Sequence, residues 1–122
     1  MVRDDEYLRT MLFEFEAESL PFLFYVSDLN GGDRGWKWIH HAELLCDQGF
    51  LAEHTVENIS ARRFRLTAKG HDFIIVTRDN TVWSKTKTFA AKGGAATVEV
   101  LFGVAVEIAK QKLIQETGIA LS

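Results

Sequence analysis

A chain of 122 residues with 47% hydrophobic and 11% aromatic side chains is expected to form one domain around a sizeable core. A single cysteine, Cys46, excludes an internal disulfide and, with an acidic rather than basic N-terminus (Asp4, Asp5, Glu6), leads us to expect a cytoplasmic protein. The net charge of −3 argues against a generic polyanion binder, but its distribution is uneven. Residues 1–60 carry 4 basic against 12 acidic side chains, residues 61–92 carry 8 against 2, and residues 93–122 carry 2 against 3. Such polarity suggests either an oriented electrostatic field or two segments that neutralise one another in the fold.

Residues 4–18 read as a helix, since Tyr7, Leu8, Met11, Leu12 and Phe15 recur at helical spacing and Asp4 and Asp5 suit the positive end of the helix dipole. Phe22 to Val26, after Pro21, reads as a strand. Ser27 to Gly35 is a loop rich in Asn, Asp and Gly. Asp33 to Gln48 reads as a second helix with Trp38, His41, Ala42 and Leu45 on one side, and Gly49 stands where a helix takes its left-handed cap. Phe50 to Val56 and Arg62 to Leu66 read as a hairpin with a turn near Glu57-Asn58. Thr67 is placed to cap a helix over Ala68 to Arg78, and Asp79 or Asn80 to cap another running toward Lys92, where Gly93-Gly94 stops it. A last helix spans Ala95 to Glu116 and ends at Gly118.

The helix–glycine–hairpin succession is that of a winged-helix-like domain with additional C-terminal helices, an α+β class. We expect a core over residues 4–78, C-terminal helices over 80–117, and a single domain overall. On the return strand, Arg63 and Arg65 share one face by alternation while Phe64 and Leu66 share the other, so one face is basic and the other core-directed. Basic residues on a wing release counterions when they meet phosphates. The expected DNA contacts are Arg62, Arg63, Arg65, Lys69 and Lys37, with Lys85 and Lys87 extending the surface. Two features pull the other way. Between Val26 and Asp33 there is no room for the helix that precedes a recognition helix, so either that helix is lost or Asp33 to Gln48 is split near Gly35. The second helix also carries Glu43 and Asp47, which suit phosphates poorly.

The segments His41 to Leu51, Arg65-Leu66-Thr67-Ala68-Lys69-Gly70-His71-Asp72-Phe73 and Thr77 to Trp83 resemble an uncharacterised bacterial and phage family of small winged-helix-like proteins of unknown function. The resemblance implies a fold rather than an activity.

The remaining motifs do not assemble into catalysis. His40 and His41 point about 100° apart on a helix, no His-Glu-x-x-His pattern is present, and no metal site or cofactor is expected. Cys46 lacks a histidine–acid partner and reads as a core residue. Gly31-Gly32 and Gly93-Gly94 lack phosphate-loop spacing. Trp36, Trp38 and Trp83 are expected to pack in a core or an interface. The last helix is apolar around most of its circumference, and its stretch from Val98 to Ala109, interrupted by Glu99 and Glu107, is too short to span a bilayer. We therefore expect a homodimer with Val98, Leu101, Phe102, Ala105 and Ile108 at the contact. The leading expectation is a non-enzymatic, DNA-binding regulatory protein; the alternative is a protein–protein interaction module on a degenerate winged-helix scaffold.

Overall fold

The computed structural model describes residues 1–55, 61–92 and 96–118. Five helices and three strands occur among them, an α+β fold with helices at the C-terminal end. The chain divides into two compact units, Met1–Ile74 and Ile75–Ser122.

In the first unit, α1 (Asp5–Ala17) starts where the Asp4 carboxylate accepts the Tyr7 N–H at 3.0 Å. Leu8, Met11, Leu12 and Phe15 form its buried stripe, as their spacing demands. β1 (Leu23–Val26) alternates, burying Leu23 and Tyr25 and leaving Phe24 and Val26 outward. The following loop is tied to itself and to β1. Asp28 accepts the N–H groups of Asn30 and Gly32, the Tyr25 hydroxyl donates to the Gly31 carbonyl at 2.8 Å, and Asp33 bonds Val26 through both its carboxylate and its N–H.

These bonds hold Asp33 outside the helix, so α2 is Trp36–Asp47, shorter at its start than the sequence pattern predicts. The loop takes the place of an extra helix, and α2 is not split. Trp38, Ile39, His41, Ala42 and Leu45 are its buried face. Gly49, at φ 81°, supplies the left-handed residue that turns the chain into β2.

The sheet has three strands in the order β1-β3-β2, with β2 (Leu51–Thr55) and β3 (Ala61–Leu66) antiparallel and β1 antiparallel to the other side of β3. The expected turn at Glu57-Asn58 lies outside the described residues. Trp38 is the hub of this core: its ring stacks on Tyr25 and Phe15 at 6.0 and 6.1 Å and meets Phe64 edge-on at 5.7 Å, while its indole N–H donates to Glu14 at 3.0 Å.

α3 (Ala68–Thr77) begins at a cap the sequence pattern predicts. The Thr67 hydroxyl accepts the Gly70 N–H at 3.1 Å and itself donates to the Gly49 carbonyl at 2.5 Å. Gly70 lies directly beneath the Phe50 carbonyl, where a Cβ would stand 2.2 Å from that oxygen. The Leu66-Thr67-x-x-Gly70 sequence therefore joins the end of β3 to the turn after α2.

In the second unit, Asp79 caps α4 (Asn80–Lys92) by accepting the N–H groups of Thr81 and Val82 at 2.8 and 3.2 Å. Thr97 caps α5 (Val98–Thr117), and Gly118 closes it in the left-handed conformation. The two helices pack along each other, and the Lys112 ammonium pairs with the Asp79 carboxylate. Val82, Trp83 and Thr86 of α4 are buried, as are Val98, Leu101 and Ala105 of α5.

Candidate nucleic-acid interface

Alternation along β3 separates its side chains as the sequence requires: Phe64 and Leu66 are buried in the core, and Arg63 and Arg65 emerge on the other face. Arg62 belongs to the Phe64 side. Its guanidinium holds Glu53 of β2 through two bonds of 2.7 and 2.8 Å, lies 3.9 Å from Glu43 of α2, and sits over the Phe64 ring. The hydrogen bonds to Arg62 hold the Glu53 carboxyl below its ordinary range, and the same bonds raise Arg62. Arg62 thus clamps β3 to β2 and α2 through Glu53 and Glu43.

Lys37 and Lys69 are engaged in a similar way. Lys37 pairs with Asp4 at 3.0 Å and lies 4.5 Å from the Tyr7 ring centre, fastening α2 to the start of α1. The Lys69 ammonium donates to the Gln48 carbonyl at 3.1 Å, at the C-terminal end of α2 where a cation complements the helix dipole, and it covers the Phe50 ring. Lys85 and Lys87 are exposed on α4, with Lys87 5.6 Å from the Trp83 ring centre.

Arg63 and Arg65 differ from Arg62 and Lys37. Neither forms an ion pair with a carboxylate among the described residues. Arg65 is exposed; its Nε donates to His54 Nε2 at 2.9 Å and a terminal nitrogen donates to the Leu66 carbonyl at 3.0 Å. Arg63 is half-buried with its guanidinium 5.1 Å from the centre of the Phe22 ring, and its Nε is enclosed without a hydrogen-bond partner among the described residues. In register, Phe24 of β1 stands beside Arg63, and Arg63 beside His54 of β2. Phe22 and Phe24 meet edge-to-face at 5.2 Å, and Phe24 remains 38% exposed. The outer face of the sheet thus carries two phenyl rings, two guanidinium groups and an imidazole. Sequence reasoning finds the arginines but misses Phe22, Phe24 and His54. The signal is the period of two in Leu23-Phe24-Tyr25-Val26, which separates Phe24 from its core-facing neighbours.

The other titratable groups are structural. His41 is fully buried: its Nε2 accepts the Asp4 N–H at 2.9 Å and its Nδ1 donates to the Lys37 carbonyl at 2.7 Å, so the neutral ring joins α1 to α2. Burial holds its pKa below the ordinary value. Cys46 is half-buried, and desolvation, reinforced by nearby Glu53, pushes its thiol up to about 11, which leaves little thiolate at neutral pH. Among the described residues, no three histidine, cysteine or carboxylate side chains are grouped to hold a metal ion.

Of the residues expected at a dimer contact, Val98, Leu101 and Ala105 are buried within the chain itself. Phe102 and Ile108 are half-exposed. The apolar surface left open on the second unit is instead a shallow groove of about 420 Å³ lined by Phe89, Val100, Gly103, Val104, Glu107 and Ile108. Among the described residues no helix is long and apolar enough to cross a membrane.

The family model described as hypothetical protein (DUF2513) matches residues 2–96, and the chain belongs to that family. No curated protein and no solved structure matches the chain.

Proposed function

We propose that this is a non-enzymatic nucleic-acid-binding protein of the regulatory kind, which grips the phosphate backbone with the outer face of its β2–β3 hairpin. The observation that carries the reading is the pairing pattern of the cations. Arg62 and Lys37 are held by carboxylates of the fold, whereas Arg63 and Arg65 stand together on the outer face without a carboxylate among the described residues, Arg65 bonded to His54 and the Leu66 carbonyl. Guanidinium groups placed in this way suit phosphate oxygens. The run α1–β1–α2–β2–β3 with strand order β1-β3-β2 supports a winged-helix-like reading in which the preceding helix is replaced by the Ser27 to Gly35 loop. The exposed Glu43 and Asp47 on α2 direct the contact to the hairpin rather than to that helix.

The test is fluorescence anisotropy with a labelled mixed-sequence DNA duplex and with its separated strand, at low and at physiological salt. Binding to at least one form, weakening steeply with salt, is expected. Replacing Arg63 and Arg65 together by alanine should lower the log–log salt slope by about 2, one unit per lost phosphate contact. Absence of binding to both forms at low salt overturns the reading.

A second copy of the chain is the partner that the open groove on α4 and α5 favours. Val100 is 52% and Phe89 62% exposed, and Gly103, with nothing within 4 Å of where its Cβ would be, leaves room for the close approach of a second helix. The proposed homodimer contact is therefore Val100, Val104, Ile108 and Phe89.

A further inference from the structure

We infer that the ligand of the sheet face is a single-stranded polynucleotide whose bases stack on Phe24 and Phe22 while its phosphates meet Arg63 and Arg65. The inference rests on the phosphate-gripping role proposed above and narrows it.

Two observations carry it. The first is geometry. The rings and cations lie across three strands, with Phe24 on the β1 edge, Arg63 on central β3 and His54 on the opposite edge. Strands are spaced about 4.8 Å apart, so the face is about 10 Å across before side chains are added. The major groove of a duplex, about 12 Å wide, accepts an α-helix or a two-stranded ribbon, and a wider sheet face meets a duplex only through a minor groove that is widened and bent at the cost of unstacking its bases. A single strand can be laid across such a face without entering any groove.

The second observation is chemistry. In a duplex the base faces are already stacked on one another and are closed to a protein ring, whereas the bases of a single strand are open to one. Phe24 is more than a third exposed on a face that also carries Arg63 and Arg65, and it has a second ring, Phe22, 5.2 Å away. Arg63 lies against Phe22, so a cation and an aromatic surface occur side by side, the pairing that a nucleotide, with its base and its phosphate, can satisfy at both ends. An acidic peptide would answer the arginines but would use the rings only if it also carried apolar or aromatic side chains beside its carboxylates.

The experiment uses the full chain and three labelled probes of about 12 nucleotides with one sequence: single-stranded DNA, the corresponding RNA, and the DNA duplex. Affinity for at least one single strand should exceed that for the duplex by about tenfold or more. Phe24→Ala should weaken single-strand binding about tenfold while Phe24→Tyr, which keeps the ring, stays close to the wild type. Because Phe24 is a surface residue, unchanged thermal melting of both variants will show that the fold is intact. Equal or tighter binding of the duplex, or single-strand binding untouched in Phe24→Ala, overturns the inference while leaving the phosphate contacts of Arg63 and Arg65 standing. Failure of all three probes to bind at low salt overturns both.

Discussion

Single residues in this protein are decided by what stands next to them, and two glycines show the range. A Cβ on Gly70 would stand 2.2 Å from the Phe50 carbonyl oxygen, and neither that backbone nor α3 can retreat without breaking the Thr67 cap. Gly70→Ala should destabilise by about 2–3 kcal/mol, as other overpacked sites do. Gly103, in mid-helix with open space around it in the single chain, should behave oppositely at concentrations where the protein is monomeric, with alanine raising stability by about 0.5–1 kcal/mol. Urea midpoints of the two variants, moving in opposite directions, are the check. His41 makes a prediction of another kind. Its folded-state pKa is held below the ordinary 6.5, chiefly by burial, so below that pH the unfolded chain binds a proton that the folded chain refuses. Stability should be complete above pH 6.5 and decline as the pH falls beneath it. Asp4, held below its usual 3.8 by the Tyr7 N–H and Lys37, acts in the same direction at more acidic pH. Urea titrations just above and below pH 6.5 should show the decline in the wild type and a flatter profile in His41→Gln; equal slopes would remove His41 as its source. The sequence pattern places Gly70 inside the helix predicted over Ala68 to Arg78 and His41 on the packing side of the second helix. Their partners, a carbonyl 20 residues earlier and an N–H 37 residues earlier, come from tertiary contact and have no local signature.

At the scale of elements, caps and alternation were the legible features. Asp4, Gly49, Thr67, Asp79 and Gly118 all act at or beside the helix ends where residue type places them, because capping is a local interaction. The start of α2 was not legible. Asp33 resembles an N-cap, yet β1 captures its carboxylate and its N–H, and a strand that lies earlier in the chain outcompetes the local signal. The arginines of β3 divide similarly. Alternation sorts Arg63 and Arg65 from Phe64, but nothing local reveals that Arg62 faces Glu53 and Glu43. The difference should separate in mutants. Arg62→Ala removes a partly exposed, two-bond ion pair and should cost about 0.5–1 kcal/mol of stability. It should leave polynucleotide affinity close to that of the wild type. Arg65→Ala should do the reverse, with little change in the urea midpoint and a loss of about one unit of salt slope. A large affinity loss in Arg62→Ala would return that residue to the contact surface.

The charge asymmetry of the whole chain resolves only partly into internal pairs. Arg62 of the basic stretch answers Glu53 and Glu43 of the acidic one, but Lys37 and Arg34 pair within the acidic segment itself, with Asp4 and Glu14. Arg63 and Arg65 are left facing outward. The apolar pattern of α5 divides too. One side, Val98, Leu101 and Ala105, is buried in the chain; the other, Val100, Val104 and Ile108, is not, and this is the side a second copy can cover. Sequence periodicity recognised that the helix has more apolar surface than one neighbour can bury, but not which side the chain itself would take. Two glutamates separate these roles. Leu101→Glu places a charge in the core and should unfold the protein. Val104→Glu places it in the groove, where it should leave the helical circular dichroism intact and turn a micromolar dimer into a monomer by light scattering. A wild type that is monomeric at that concentration removes self-association from the proposal. A Val104→Glu protein that stays dimeric with its helices intact moves the contact away from α5.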